Sequence, residues 1–195
     1  MWLQTLWMYP AQPLLWGVVV LASLVAAALD LKSRRIPNWL TGPVFLAGLV
    51  SATAIGGIRG LADSAGGAVV MSLLFLMLFV FARGGAGDAK LMAALGSWLG
   101  VVNGLFALGA ILAAGALLGI CYALIVKRLR QVLRNLAGMI LALWCLVVGR
   151  GRIVTLEQAR QAAPLQKIRM PYGLAVLVGT VAAWIGVFLW RRANG

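Results

Sequence analysis

Asp30, Asp63, Asp88 and Glu157 are the only acidic side chains in 195 residues, and Asp30 and Asp88 stand where a carboxylate could do chemistry. Asp88 closes the glycine-rich turn Gly84-Gly85-Ala86-Gly87-Asp88, which is followed by Ala89-Lys90-Leu91 and set between two strongly apolar segments. A charged carboxylate at membrane depth is costly unless solvated or partnered, so its position needs a reason. Irregular backbone near a membrane persists only when buried in protein or lining a wet cavity, and glycine lets other groups approach closely. These features point to a carboxylate at a small aqueous pocket. Asp30 ends the first apolar run of the chain. Two aspartates brought together in a partly desolvated pocket cannot both ionise readily, and such a pair shares a proton. The ionised member then acts as general base on a water. The protonated member polarises a scissile carbonyl and later donates to the leaving amine. This is the chemistry of an aspartic protease, and it calls for no metal and no cofactor.

The elements that would position these groups are membrane helices. A hydrophobic share of 63% lies far above that of soluble domains, and the apolar runs approach bilayer-spanning length. The net charge of +13 falls in short connections between apolar runs rather than along one stripe. Topology and anionic lipid therefore explain it better than nucleic acid. Cys121 and Cys145 sit in apolar stretches without a CxxC partner, which supports neither a disulfide framework nor a zinc site.

Taken in order, residues 1–13 are uncharged, residues 14–29 are apolar, and Asp30-Leu31-Lys32-Ser33-Arg34-Arg35 follow. A signal peptide carries its positive charges first, so Ala26-Ala27-Ala28 is not expected to be a cleavage site. The positive-inside rule instead puts Asp30 at the cytoplasmic end of a first span. Ile36-Pro37-Asn38-Trp39 opens a second span that runs outward to about residue 55, with an outer loop expected over 56–64. Residues 65–82 return to the cytoplasm at Arg83. A short fourth segment runs from Asp88 to about residue 100, and a fifth covers 104–126. The run 136–148 is too short to span and is expected as a cytoplasmic-side interfacial helix. Met170-Pro171-Tyr172-Gly173 leads into a last span ending near Trp190. The expectation is an all-α, polytopic integral membrane protein of about six transmembrane helices plus that short interfacial helix. It forms a single membrane-embedded domain over 1–195 with no separate soluble domain. A seven-span topology is the alternative.

Three segments of this chain resemble one family. Gly85-Ala86-Gly87-Asp88 with Lys90-Leu91 resembles the GxGD signature of the type IV prepilin peptidases. Asp30 with Ile36-Pro37-Asn38 is similar to that family's first catalytic aspartate and the segment after it. Met170-Pro171-Tyr172-Gly173 is similar to its Pro-Tyr-Gly approach to the last span. The chain looks most like the short form found in tight-adherence (Flp pilus) systems, without a methyltransferase domain or paired CxxC motifs. The resemblance implies a membrane-embedded aspartic endopeptidase of the bacterial inner membrane. It would use Asp30 and Asp88 to remove a basic leader from a prepilin or pseudopilin at the cytoplasmic face, in support of pilus assembly and protein secretion.

Around the two aspartates, Gly85, Gly87 and Lys90 are expected to support the loop. Pro37, Asn38, Pro171, Tyr172 and Gly173 are candidates for the substrate cleft. Simpler roles stand beside these. Asp88 could be a helix cap, Asp30 an interfacial ion-pair partner, Lys90 a snorkelling lysine and Asn38 a turn residue. Asp63 and Glu157 read as solvated loop charges. The implied partners are a prepilin with a basic leader and apolar helix, and the lipid bilayer. The alternative functions are an ion- or proton-coupled transporter, which would place its site near mid-bilayer between repeats, and a noncatalytic scaffold.

Overall fold

The computed structural model describes residues 12–33, 36–82, 86–125 and 172–194. Among these residues the regular structure is α-helical: α1 (Gln12–Ser33), α2 (Asn38–Ala82), α3 (Ala86–Ile125) and α4 (Tyr172–Asn194). All four are long and apolar enough to cross a membrane. The chain divides into two compact units, one comprising 1–116 with 171–195 and the other 117–170. Of the second unit, only the end of α3 is described.

α2 has 45 residues, so a straight helix of this length would reach about 68 Å, more than twice the ~30 Å hydrocarbon core. It is not straight. Gly57 has φ 58° and ψ −142°, a conformation open to glycine alone, and the helix breaks there. A Cβ on Gly60 would collide with the carbonyl of Ala52, so the chain doubles back at this single residue. α3 breaks in the same way at Gly100 (φ 69°, ψ −170°). The expected outer loop over 56–64 is therefore absent: apart from Gly57 those residues are helical. Among the described residues, four helices with two one-residue breaks stand where separate spans joined by loops were expected, because glycine can reverse the chain without a loop.

The first segment of α3 lies at the centre of its unit. Leu91, Met92, Ala94, Leu95 and Leu99 are all buried, together with Met71 and Phe75 of α2 and Trp16 and Val19 of α1. Gly67 and Gly96 allow this packing, since a Cβ on either would strike the backbone of the other helix. Polar stitches fix the register of the first segment of α3 against α2. Trp98 Nε1 donates to the carbonyl of Val44 at 2.8 Å, Ser97 Oγ to that of Phe45 at 3.2 Å, and Ser64 Oγ to that of Ser97 at 2.6 Å. Two other buried hydroxyls bond to their own helix. Ser23 donates to Val19 and Thr180 to Val176, as an environment without water requires. α1 packs along α4.

Candidate active site

Asp30 lies one turn from the end of α1 on the face covered by α4, and only 8% of it is exposed. A buried carboxylate needs donors. One comes from the backbone: the amide of Gly173, in the first turn of α4, donates to Asp30 Oδ2 at 2.9 Å. Amides in the first turn of a helix have no intrahelical acceptor, so this one is available to the carboxylate. The approach depends on glycine. A Cβ on Gly173 would stand 2.9 Å from Ala27 Cα, 3.0 Å from Asp30 Cβ and 3.3 Å from the carbonyl oxygen of Ala26.

The preceding residue, Tyr172, is half-buried. Its ring meets Phe75 edge to face, with centroids 5.4 Å apart and planes at 64°. Its hydroxyl lies over Gly115, where a Cβ would come within 3.1 Å of that oxygen.

Asp88 is in the first turn of α3, where the exposed amides and helix dipole favour a carboxylate. It is half-buried and is followed directly by the most buried segment of the unit. Asp30 and Asp88 lie within electrostatic range of each other, as do Asp88 and the phenol of Tyr172. Both aspartates, Tyr172 and the amide of Gly173 thus come together from three helices.

A second group of expected residues lies beside this cluster. A Cβ on Gly87 would sit 3.3 Å from Ile36 Cβ, so the Ile36-Pro37-Asn38 segment rests against the turn that carries Asp88. The carbonyl of Pro37 accepts from the amides of Leu40 (3.2 Å) and Thr41 (3.4 Å) and starts α2. Lys90 Nζ donates to Asn38 Oδ1 at 3.0 Å. Gly85, Pro171, Cys145, Glu157 and the run 136–148 lie outside the described residues. Among the described residues, no three His, Cys, Asp or Glu side chains gather as metal ligands would.

Asp63 corrects one expectation. It is not a solvated loop charge: its Oδ1 accepts from the amide of Val101 at 3.1 Å, and its carboxylate fills the space beside Gly100. It caps the segment of α3 that restarts after the break. The amide of Gly173 is the contribution to the site that side-chain reasoning missed. A backbone donor leaves no mark in the sequence beyond the glycine itself.

A sequence profile of the type IV leader peptidase family matches residues 17–124, more than half of the chain. The chain belongs to this family. The matched region includes Asp30, Ile36-Pro37-Asn38 and the turn through Asp88 and Lys90, and it ends before Tyr172 and Gly173. The chain is 39% identical over 104 residues to a "Prepilin leader peptidase/N-methyltransferase" of Klebsiella pneumoniae, an alignment covering 48% of this chain and 44% of that protein. It is 36% identical over 126 residues to the protein of the same description from Pectobacterium carotovorum subsp. carotovorum, covering 60% and 43%. The chain thus spans less than half the length of these curated relatives. No solved structure matches it.

Proposed function

We propose that this leader peptidase is a membrane-embedded aspartic endopeptidase in which Asp30 and Asp88 form the catalytic dyad. The observation that carries this reading is the convergence of two aspartates from separate helices, each beside a segment of the family signature. One carboxylate takes the proton of a water that attacks the scissile carbonyl. The other carboxyl group polarises that carbonyl and passes its proton to the leaving amine. Gly173 orients Asp30 through its amide. Gly87, Lys90 and Asn38 support the first turn of α3 that carries Asp88, and Pro37 and Tyr172 border the cleft.

The site faces the cytoplasm of the inner membrane in this reading. Lys32, Arg34 and Arg35 follow Asp30, and Arg83 precedes Asp88, which is the basic flank expected on that side. The two segments of α2, the two of α3, and α1 and α4 make six crossings. The segment of α3 from Asp88 to its break at Gly100 is about 18 Å long, shorter than the ~30 Å hydrocarbon core, which favours water reaching Asp88 from its own end.

The substrate is a Flp-type prepilin or pseudopilin with a basic leader and an apolar helix, cleaved after a glycine. The chain acts as a peptidase without N-methylation. The resemblance to the short form, without paired CxxC motifs in these 195 residues, supports that restriction. The transporter alternative is not favoured by the family match.

The test is co-expression with a Flp-type prepilin and intact-mass measurement of the pilin. A product shortened by the leader and carrying an unmethylated amino terminus supports the proposal. A pilin of full length, with the chain present in the membrane, refutes it.

A further inference from the structure

Lys90 sits in an electrostatically awkward place. It is near the N-terminus of α3, and its ammonium reaches Asn38 at the N-terminus of α2, so a cation lies beside two helix ends that both favour anions. It does not turn to Asp88: two positions along a helix is a rotation of about 200°, so Lys90 leaves the opposite side of the turn. Nζ instead meets a neutral amide oxygen, Asn38 Oδ1, at 3.0 Å.

Asn38 is well placed to hold it. As the first residue of α2, Asn38 follows Pro37, whose ring fixes φ and whose carbonyl ties down the amides of Leu40 and Thr41. The α3 side is anchored less firmly. Ala86 is exposed, Gly87 has no side chain, and Ala89 buries only a methyl group before Leu91, so contacts with residues 36–38 help to set the rotation of the first turn. Ile36 against Gly87 and Asn38 against Lys90 are two such contacts, and they bracket Asp88.

We infer that the Lys90–Asn38 hydrogen bond is a latch that sets the rotation of the first turn of α3 and so keeps Asp88 facing Asp30. Lys90 and Asn38 are positioning residues, not substrate contacts. This rests on the reading of Asp30 and Asp88 as the catalytic pair. A misplacement of about 1 Å in such a pair costs up to ~100-fold in rate, so a latch of modest strength has a large kinetic lever.

The experiment uses the full chain in nanodiscs of phosphatidylethanolamine and phosphatidylglycerol, a synthetic Flp-type prepilin peptide, and the variants Lys90→Met, Asn38→Leu, their double and Asn38→Asp. Each single variant should lower kcat about tenfold with KM within about twofold, and the double should be no slower than the singles. Asn38→Asp keeps the acceptor and should cleave near the wild-type rate. Amide hydrogen exchange in the first turn of α3 should quicken equally in both singles and the double. A raised KM with unchanged kcat in Lys90→Met makes that lysine a substrate contact and overturns the latch. Additive losses, or wild-type rate and exchange in the singles, overturn it as well. Should the wild type itself cleave no prepilin, the proposed function fails, and the exchange measurements alone decide the latch.

Discussion

Gly173→Ala tests the site by a single methyl group. The new Cβ would stand 2.9 Å from Ala27 Cα and 3.3 Å from the carbonyl oxygen of Ala26, both backbone atoms that cannot rotate aside, and 3.0 Å from Asp30 Cβ. Ordinary carbon contacts lie at about 3.5–4.0 Å, so α4 must retreat from α1 by roughly 0.5–1 Å. That retreat lengthens the 2.9 Å bond from the Gly173 amide to Asp30 Oδ2 and leaves a buried carboxylate short of a donor. Overpacking of this kind costs about 1–3 kcal/mol, and a hydrogen bond to a charged group contributes about 1.5–3 kcal/mol. Displacing Asp30 by up to 1 Å should by itself reduce cleavage by up to ~100-fold. The assay is prepilin cleavage by the purified chain, alongside thermal unfolding in detergent, with Gly17→Ala of α1 as the control. No atom lies within 4 Å of a Cβ on Gly17, so that change should be neutral or slightly stabilising by helix propensity. If Gly173→Ala cleaves at the wild-type rate, the account of how Asp30 is held is wrong.

The fold makes further predictions. Gly96→Ala should destabilise by about 1–3 kcal/mol, because its Cβ meets the backbone of Gly67 and Ala68 where α3 crosses α2; unfolding in detergent titrated with SDS would measure this. Asp63→Ala should cost about 0.5–2 kcal/mol as a lost cap, while Asp63→Asn, which still accepts from Val101, should recover most of it in the same assay. Phe75→Leu removes the edge-to-face partner of Tyr172 and should cost about 0.5–1.5 kcal/mol beyond its loss of buried area, which a double-mutant cycle with Tyr172→Leu would isolate.

The residues of the candidate site were more legible in the sequence than the architecture that carries them. Asp30 and Asp88 stand out because a carboxylate flanked by apolar residues is expensive, and Gly87, Lys90 and Ile36-Pro37-Asn38 stand out by their adjacency to them. Helical membrane character follows from composition. The chain reversals are different. With 24 glycines in the sequence, nothing local distinguishes Gly57 and Gly100 as the ones that adopt positive φ, so the expected connection over 56–64 was placed in a loop that does not exist. The cap made by Asp63 depends on α3 restarting beside α2, a long-range contact invisible in a local window. Lys90 and Asn38 were each readable in two ways until their pairing fixed one partner for both.

Catalysis by the two aspartates is tested most directly by replacing each with asparagine, which keeps the shape of the side chain but cannot exchange a proton as a carboxyl group does. In membranes co-expressing a Flp-type prepilin, with chain levels matched by immunoblot, both Asp30→Asn and Asp88→Asn should accumulate normally and leave the pilin unprocessed. Processing at the wild-type rate by either variant would remove that residue from the dyad and contradict the aspartic mechanism.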